Sequence, residues 1–437
     1  MRAITRLRVA LAGLALLLVA GVVSQAGGSE RETDSTSSST KAMIGLVPWQ
    51  EDQLLGERGS DYRYVIVRDV LPSTRQRLAA LVEQNPKTRV LLYTDAAFMV
   101  HDRTDPRACD YWPFNGDGAD FCTATKRHEG WFLHRGPARP GEPAKARRLI
   151  SSSYPSIWAA DIGDPGYRRR WIKNTLRRLR GERPGGTRVR VAGVYMDDIN
   201  MVPGHGMDGR ISEYTDDAYR AAAVGFAAQT ARTLARHGFM TMANVGLDVH
   251  DPAQRAGLLE VAAAGVTIHR EYFVRYGTGS PAFASPPADR GNDWLTELEL
   301  FEQVQATGAG YVGLVYGGSA RRGAEYEIAH YARATFLLGW DGHSPSALAF
   351  RTTDESNPKE FGSWQTEIGT PIEPRTQVGD RQAYTRRYTG GIAVVNADPT
   401  QSQFFFLDRG YRTRSGLCLS AIELPPASGA AMPSCVI

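Results

Sequence analysis

Histidine, cysteine and lysine are all sparse in this chain of 437 residues, and each shortage removes a class of chemistry. The nine histidines never pair as HxH, HxxxH or HExxH, so the local signatures of metallohydrolases are missing. No Gly-x-Ser-x-Gly stretch and no P-loop occurs, which removes the commonest nucleophile-elbow and nucleotide readings. The four cysteines, Cys109, Cys122, Cys418 and Cys435, lack zinc-ligand spacing and read as structural. Local pairing, Cys109–Cys122 and Cys418–Cys435, is the simplest of three connectivities. Lysine is outnumbered by arginine 6 to 45, so arginine clusters say little here. The run Arg168-Arg169-Arg170, continued by Arg177, Arg178 and Arg180, interleaves with Trp171, Thr175 and Leu179 at helical spacing. It reads as a solvated helix face rather than a polyanion site.

Long apolar runs are missing after Val23, so no membrane span is expected in the rest of the chain. The start is different. Arg2, Arg6 and Arg8 precede an apolar run from Val9 to Val23 and then Ser24-Gln25-Ala26, the pattern of a secretory signal over residues 1–26. Its run of about 15 residues falls short of the roughly 20 a span needs. Removing it takes three arginines from the formal charge of +4 and leaves about +1, a poor balance for a nucleic-acid partner. Residues 27–41 begin with a polar, Ser/Thr-rich tether. A secreted, extracellular protein is expected.

From residue 42 to 355, short apolar runs alternate with helical patterns. The runs are Met43–Val47, Tyr64–Arg68, Arg89–Tyr93, Val191–Asp197, Phe239–Asn244, Val266–Glu271, Tyr311–Tyr316 and Ala347–Arg351. Between them Thr74–Glu83, Pro165–Arg180, Asp216–His237, Ala253–Ala264, Trp294–Thr307 and Glu325–Leu338 carry helical spacing. Strands alternating with helices imply a parallel sheet, and eight of them an α/β fold of the (β/α)8 TIM-barrel type. Ile157–Asp161 is a ninth strand candidate. The insertion 105–156 breaks the rhythm, rich in Gly, Pro and charge. Its Trp112, Phe114, Trp131 and Phe132 suit either a ligand platform or, preferably, the loop's own small core. Residues 356–437 change texture again, with short strands and turn residues and no helical pattern between them, as in a small antiparallel β unit.

The central stretch is Val191 to Asn200. Alternation puts Gly193, Tyr195 and Asp197 on one face, and Ala192, Val194, Met196 and Asp198 on the other. The first set suits a barrel lumen ending in a solvated site, the second a face under helices. Carboxylates at the C-terminal end of a barrel strand sit where that fold places its chemistry. The polar set Thr267, His269 and Glu271 repeats the pattern, as do Leu91, Tyr93 and Asp95, and Asn244 ends the strand between. Asp161, Asn200, Tyr316 and Trp112 join Tyr93, Asp95, Asn244, His269 and Asp198 as candidate substrate-binding residues. Acids and amides converging on one barrel end suit glycoside hydrolysis, which needs two carboxyl groups flanking the scissile bond.

Trp158-Ala-Ala-Asp-Ile-Gly-Asp-Pro-Gly-Tyr-Arg-Arg-Arg-Trp171, followed by Gly193-Val-Tyr-Met-Asp-Asp-Ile-Asn200, resembles the "W-x-x-D, then G-V-x-x-D-[DN]" pattern of a hypothetical glycoside hydrolase TIM-barrel family. That family is distantly related to the endo-α-1,4-polygalactosaminidases. The tail from Glu367-Ile-Gly-Thr-Pro371 through Tyr388, Val395-Asn396 and Gly410-Tyr411-Arg412 resembles the family's appended β unit. The resemblance covers most of residues 42 to 415 and implies a catalytic Asp on the central strand and a Glu on a later one. Asp197 and Glu271 match by strand order. Asp198 departs from the Asn often found there, which leaves the choice between the two aspartates open.

Three functions follow. The first is a secreted glycoside hydrolase acting on a polysaccharide or oligosaccharide without cofactor or metal, with Asp197 as the ionised carboxylate, Glu271 as the proton donor and His269 within reach to tune it. The second is a non-catalytic carbohydrate-binding barrel at the cell surface. The third is a metal-dependent hydrolase that uses Asp197 and Asp198 as ligands.

Overall fold

All eight expected strand runs enter one closed parallel barrel. Its strands are β1 (Lys41–Ile44), β2 (Tyr64–Val67), β3 (Arg89–Asp95), β6 (Gly193–Asn200), β7 (Met240–Gly246), β8 (Val266–Glu271), β9 (Tyr311–Tyr316) and β10 (Ala347–Arg351). They pair in that order, and β10 closes on β1 through Leu348↔Lys41 and Ala349↔Ala42. The computed structural model describes residues 41–44, 62–67, 72–100, 120–154, 156–182, 190–204, 206–275, 282–284, 293–316, 324–351, 367–380 and 382–437. The expected signal and tether, Cys109, Trp112, Phe114 and the 355/356 boundary lie outside them.

Period-two alternation sorts the barrel's side chains. Tyr64, Ile66, Leu91, Tyr93, Tyr195, Met242, Val312, Leu314, Ala347 and Ala349 fill the lumen. Val65, Val90, Leu92, Val194, Met196, Ala243, Val245, Ile268 and Val315 pack under the helices. Ala192, expected on the helix side, packs against the lumen at the entry to β6, one residue before Gly193, where the strand starts. An ideal Cβ at Gly193 would lie 1.9 Å from the Met240 carbonyl oxygen, so β6 and β7 close together only over a glycine.

The six expected helices form as α1 (Pro72–Gln84), α3 (Pro165–Leu179), α4 (Asp216–Ala235), α5 (Pro252–Ala263), α6 (Trp294–Ala306) and α7 (Ala324–Gly339). Their starts are written in the sequence. The Thr215 hydroxyl accepts from the Ala218 N–H, and Asp164 and Asp251 cap α3 and α5 ahead of a proline at the first turn. Gly238, at φ 78°, ends the turn after α4. The arginine run on α3 is not wholly solvated. Arg178 is buried and donates to the Tyr93 carbonyl at 2.9 Å and to Thr94 Oγ1 at 2.8 Å, while Arg168 reaches the Ala222 carbonyl of α4. Carbonyls left open where β3 ends draw a long basic side chain inward.

The described part of the insertion is more ordered than its composition suggests. It holds α2 (Phe121–Arg127), 3-10 turns at Glu129–Trp131 and Ala144–Arg147, and bridges such as Phe132↔Ala160 and Ile150↔Trp158. Trp131 and Phe132 are buried against Tyr167 and the half-buried Phe121 and Trp158, so both aromatics serve the loop's core. The ninth strand candidate becomes β5 (Ile157–Ala159), which pairs antiparallel with β4 (Phe98–Val100) outside the barrel.

The C-terminal unit is all β among its described residues. Strands β11 (Thr376–Gln377), β12 (Ala383–Tyr388), β13 (Gly391–Asn396) and β16 (Ser428–Pro433) form one sheet, and β14 (Gln403–Arg412) and β15 (Cys418–Leu424) another. Ile392, Val394, Phe405, Tyr411, Leu424 and Met432 make its core. The sheet packs on α7, where Arg386 donates to the carbonyls of Leu338 at 2.8 Å and Trp340 at 2.6 Å, satisfying the helix's open end. Barrel and β unit therefore belong to one compact unit. Cys418–Cys435 pins the C-terminus as expected. Cys122 is also disulfide-bonded.

Candidate active site

The C-terminal ends of β3, β6, β7, β8 and β9 bring the polar candidates together. Asp197 comes first. Its Oδ2 accepts from the Tyr93 hydroxyl at 2.6 Å, and its Oδ1 from Asn244 Nδ2 at 2.9 Å and the Asp198 N–H at 3.0 Å. The same Asn244 nitrogen donates to Glu271 Oε2 at 2.9 Å. One amide nitrogen thus bridges the two carboxyl groups, which puts these two oxygens no more than about 5.8 Å apart, twice the bond length. Tyr316 donates its hydroxyl to Glu271 Oε1. Each carboxyl therefore has a tyrosine of its own and shares the amide.

The aspartate pair departs from simple alternation. Pairing of β6 with β7 shifts between Met196↔Ala243 and Ile199↔Val245, so Asp197 and Asp198 together oppose Asn244. That is a β-bulge, with Asp198 at φ 58°. Bulges occur beside active sites because they re-aim a side chain, and aspartate tolerates the left-handed region better than most residues. Asp198 still meets Asn200, whose Nδ2 lies 3.5 Å from its Oδ1. Asn200 itself is buried, its Oδ1 packed on Gly246 where a Cβ would lie 2.1 Å away. Asn200 and Gly246 are register partners at the ends of β6 and β7.

Asp95 is the register partner of Asp197 and is buried. Its Oδ1 accepts from the N–H groups of Ala97 and Phe98 at 3.0 and 2.9 Å, which makes it the residue that turns the chain out of β3. Burial, then the charges of Asp198 and Asp197, push the Asp95 carboxyl well above the usual range. Burial, then Asp197, does the same to Asp198. Burial likewise raises the Tyr93 phenol, with Asp197 next, so Tyr93 stays a proton-bearing donor.

His269 sits one layer deeper, 1 % exposed, with Nδ1 2.8 Å from the Tyr195 hydroxyl. Burial, then Arg270, lowers its pKa to about 3, so the ring is neutral and brings no positive charge to the site. Asp161 stands on the turn between β5 and α3 rather than on a barrel strand. Its Oδ1 accepts from the Tyr214 hydroxyl at 2.6 Å and the Gly163 N–H at 2.8 Å, and burial raises its pKa. Tyr219 of α4 lies in the field of Asp198, Asp161 and Asp95.

Tyr214 and Tyr272 escaped the sequence reading. Tyr214 precedes a helix cap and carries no local signal for its reach to Asp161. Tyr272 directly follows Glu271 and stands at φ 78°, which no propensity foretells for a tyrosine. Among the described residues no three His, Cys, Asp or Glu side chains are grouped to hold a metal ion.

A family model described as hypothetical glycosyl hydrolase family 15 matches residues 83–392, the span that carries both carboxyls, the bridging amide and both tyrosines. The chain belongs to that family. This glycosyl hydrolase is accordingly an enzyme of O-glycosyl bonds with a carbohydrate substrate. The match does not extend to the polygalactosaminidase relation that the motifs suggested. Among curated proteins none matches the family member. Among solved structures it is similar to the maltogenic α-amylase AmyB from Thermotoga neapolitana, with 10 % identity, TM-score 0.48, and 92 % of this chain and 100 % of that one covered. It is also similar to the isomaltulose synthase PalI from Klebsiella sp. LX3, with 8 % identity, TM-score 0.49 and coverages of 91 % and 99 %. A β-L-arabinopyranosidase from Geobacillus stearothermophilus shows 10 % identity, TM-score 0.47 and coverages of 92 % and 100 %. Likeness at this level carries no argument about chemistry.

Proposed function

We propose that the protein is a secreted, retaining glycoside hydrolase acting on a polysaccharide, with Asp197 as nucleophile and Glu271 as acid and base. The observation that carries this reading is the Asn244 nitrogen bonded to both carboxyls. Retaining enzymes hold their two carboxyl groups about 5 to 5.5 Å apart, and inverting ones about 6.5 to 9.5 Å, to leave room for a water. A shared amide is compatible with the shorter spacing.

The roles divide by hydrogen bonding. Asp197 accepts from three donors, one of them a backbone N–H, which suits an acceptor-only carboxylate. In the first step Glu271 gives its proton to the glycosidic oxygen while an Asp197 oxygen attacks the anomeric carbon. The C–O bond to the leaving group breaks, an alcohol departs, and a glycosyl–aspartate ester remains. In the second step the Glu271 carboxylate takes a proton from water, the water oxygen attacks the anomeric carbon, and the ester C–O bond breaks. Tyr93 and Asn244 keep Asp197 in place throughout. Export is supported by the signal-like residues 1–26 and by the Cys418–Cys435 disulfide, which needs an oxidising compartment.

The test is a screen of the purified chain against microbial and plant polysaccharides, including amino-sugar polymers, with Asp197→Asn and Glu271→Gln alongside. Both variants should fold and lose turnover, and Asp198→Asn should be milder. Turnover retained by Asp197→Asn but lost by Asp198→Asn would move the nucleophile by one residue.

A further inference from the structure

We propose that Tyr272 is the sugar platform of this site, an aromatic ring held beside Glu271 to carry the pyranose whose bond is cut. The inference rests on the glycosidase reading and deepens it. Three non-glycine residues among those described have positive φ: Asp198, Tyr272 and Ala427. Two of them directly follow the two carboxyl residues of the site. For aspartate the left-handed region is a common refuge, but for a bulky aromatic it is a true outlier that persists only where the surroundings enforce it.

The enforcement is visible. In a regular strand Glu271 would face the lumen, Tyr272 the helices and Phe273 the lumen again. The left-handed turn at Tyr272 breaks that order: Tyr272 rests half-buried on the edge of the helix-side core and Phe273 enters that core instead of the lumen. Phe273 is buried on the helix side against Phe301 of α6 and Tyr311, and its N–H donates to the Leu314 carbonyl at 2.9 Å. Gly313 makes room for it, since a Cβ there would lie 2.8 Å from Phe273 Cγ. The Tyr272 ring lies 5.6 Å from that of Tyr316, at 36°. Tyr316 faces the lumen and donates its hydroxyl to Glu271. Tyr272, Tyr316 and Glu271 thus form one unit.

Exposure points the same way. Phe273 and Val274 are buried, whereas Tyr272 keeps part of its surface open to solvent. Folding gains little from straining a backbone in order to leave an aromatic ring partly exposed. A pyranose gains a great deal, because its C–H face packs on such a ring while its polar edge meets Glu271 and Asp197.

The experiment compares the parent chain with Tyr272→Phe, Tyr272→Ala, Tyr272→Gly and Asp197→Asn. Affinity for a panel of iminosugars, which are protonated pyranose mimics, is read by calorimetry, together with thermal midpoints and kinetics on any substrate found. Tyr272→Ala and Tyr272→Gly should weaken iminosugar binding by about 10-fold or more and raise KM more than they lower kcat. Tyr272→Phe should match the parent. The glycine variant should melt no lower than the parent, because glycine adopts the left-handed conformation without strain. Parent-like binding by Tyr272→Ala would overturn the proposal, as would a parent chain that binds none of the panel. Loss of binding that merely follows a fall in melting temperature would also overturn it, assigning Tyr272 to packing. Failure of the catalytic assignment is separate: it would appear as turnover retained by Asp197→Asn, whatever Tyr272 does to binding.

Discussion

Removing the bridging amide is the sharpest perturbation this site offers. Asn244→Ala deletes a nitrogen that donates 2.9 Å bonds to both Asp197 and Glu271. A hydrogen bond to a charged group contributes about 1.5 to 3 kcal/mol. Losing one such bond in the transition state slows the reaction about 10- to 150-fold. Losing both, with partial compensation by the Tyr93 and Tyr316 hydroxyls, should lower kcat/KM about 100- to 1,000-fold. The fold should survive, because Tyr93 and Tyr195 still stack beneath the site at 5.7 Å. A stability loss below about 2 kcal/mol is expected, in line with a substitution that opens no large cavity. The assay is kcat/KM on an identified polysaccharide, with circular dichroism melting of the same samples. Activity within three-fold of the parent would refute the reasoning, since the shared amide would then be idle. A loss explained by unfolding at the assay temperature would refute it equally.

Three further outcomes follow from other parts of the molecule. Asp95 has its carboxyl pKa raised by burial, then by Asp198 and Asp197, so the stability it confers is whole below the ordinary value of 3.8 and is lost as the pH rises through its folded value. Asp95→Asn keeps an acceptor for Ala97 and Phe98, so it should melt higher than the parent at pH 7 and alike near pH 4. The reverse order would show that Asp95 is ionised and paired. His134 binds Glu213 through Nδ1 at 2.8 Å and Glu129 through Nε2 at 3.2 Å, tying the insertion to the loop after β6. Glu213 raises the His134 pKa, so that stability is present below 6.5 and lost as the pH rises through the folded value. Glu129 and Glu213 are held low by Arg148 and His134 against burial, so theirs is present above 4.5 and lost as the pH falls. The unfolding free energy from urea titrations should therefore peak between those values, and the peak should shrink by about 1 kcal/mol in His134→Gln; an unchanged pH profile would contradict the clamp. Finally, Glu297→Ala should cost about 3 to 5 kcal/mol in urea unfolding, because it leaves the buried Arg270, bound at 3.0 and 3.1 Å, without its counter-charge and Tyr311 without an acceptor. A cost below 1 kcal/mol would mean that the pair is not buried as described.

The barrel was legible in the sequence because its signals are periodic. The lumen series Leu91 and Tyr93, and Thr267, His269 and Glu271, follow the pleat, while α4 announces itself with Thr215, two aspartates and an apolar stripe. The convergence of Asp197, Asn244 and Glu271 on one rim followed from strand order alone. What stayed hidden depends on one-residue events or distant partners. A bulge at Asp197–Asp198 changes which way a carboxyl points without changing the apolar pattern. The left-handed turn at Tyr272 depends on Gly313, a strand away, which makes room for the Phe273 ring. The burial of His269 under Tyr195 needs the layer structure of a closed barrel, and β5 stood as a ninth strand candidate beside the eight because a short ribbon has the same composition. Arg178 looked solvated because nothing local marks the carbonyl of Tyr93 that it reaches.

The most direct measurement of the central claim is the stereochemical course of hydrolysis, followed by proton NMR on the first substrate the screen identifies. With the Asp197 and Glu271 oxygens bridged by one amide nitrogen, the newly formed hemiacetal should carry the anomeric configuration of the bond that was cut, before mutarotation mixes the two forms. A first-formed product of opposite configuration would contradict the account, because a water and not Asp197 would then have attacked the sugar.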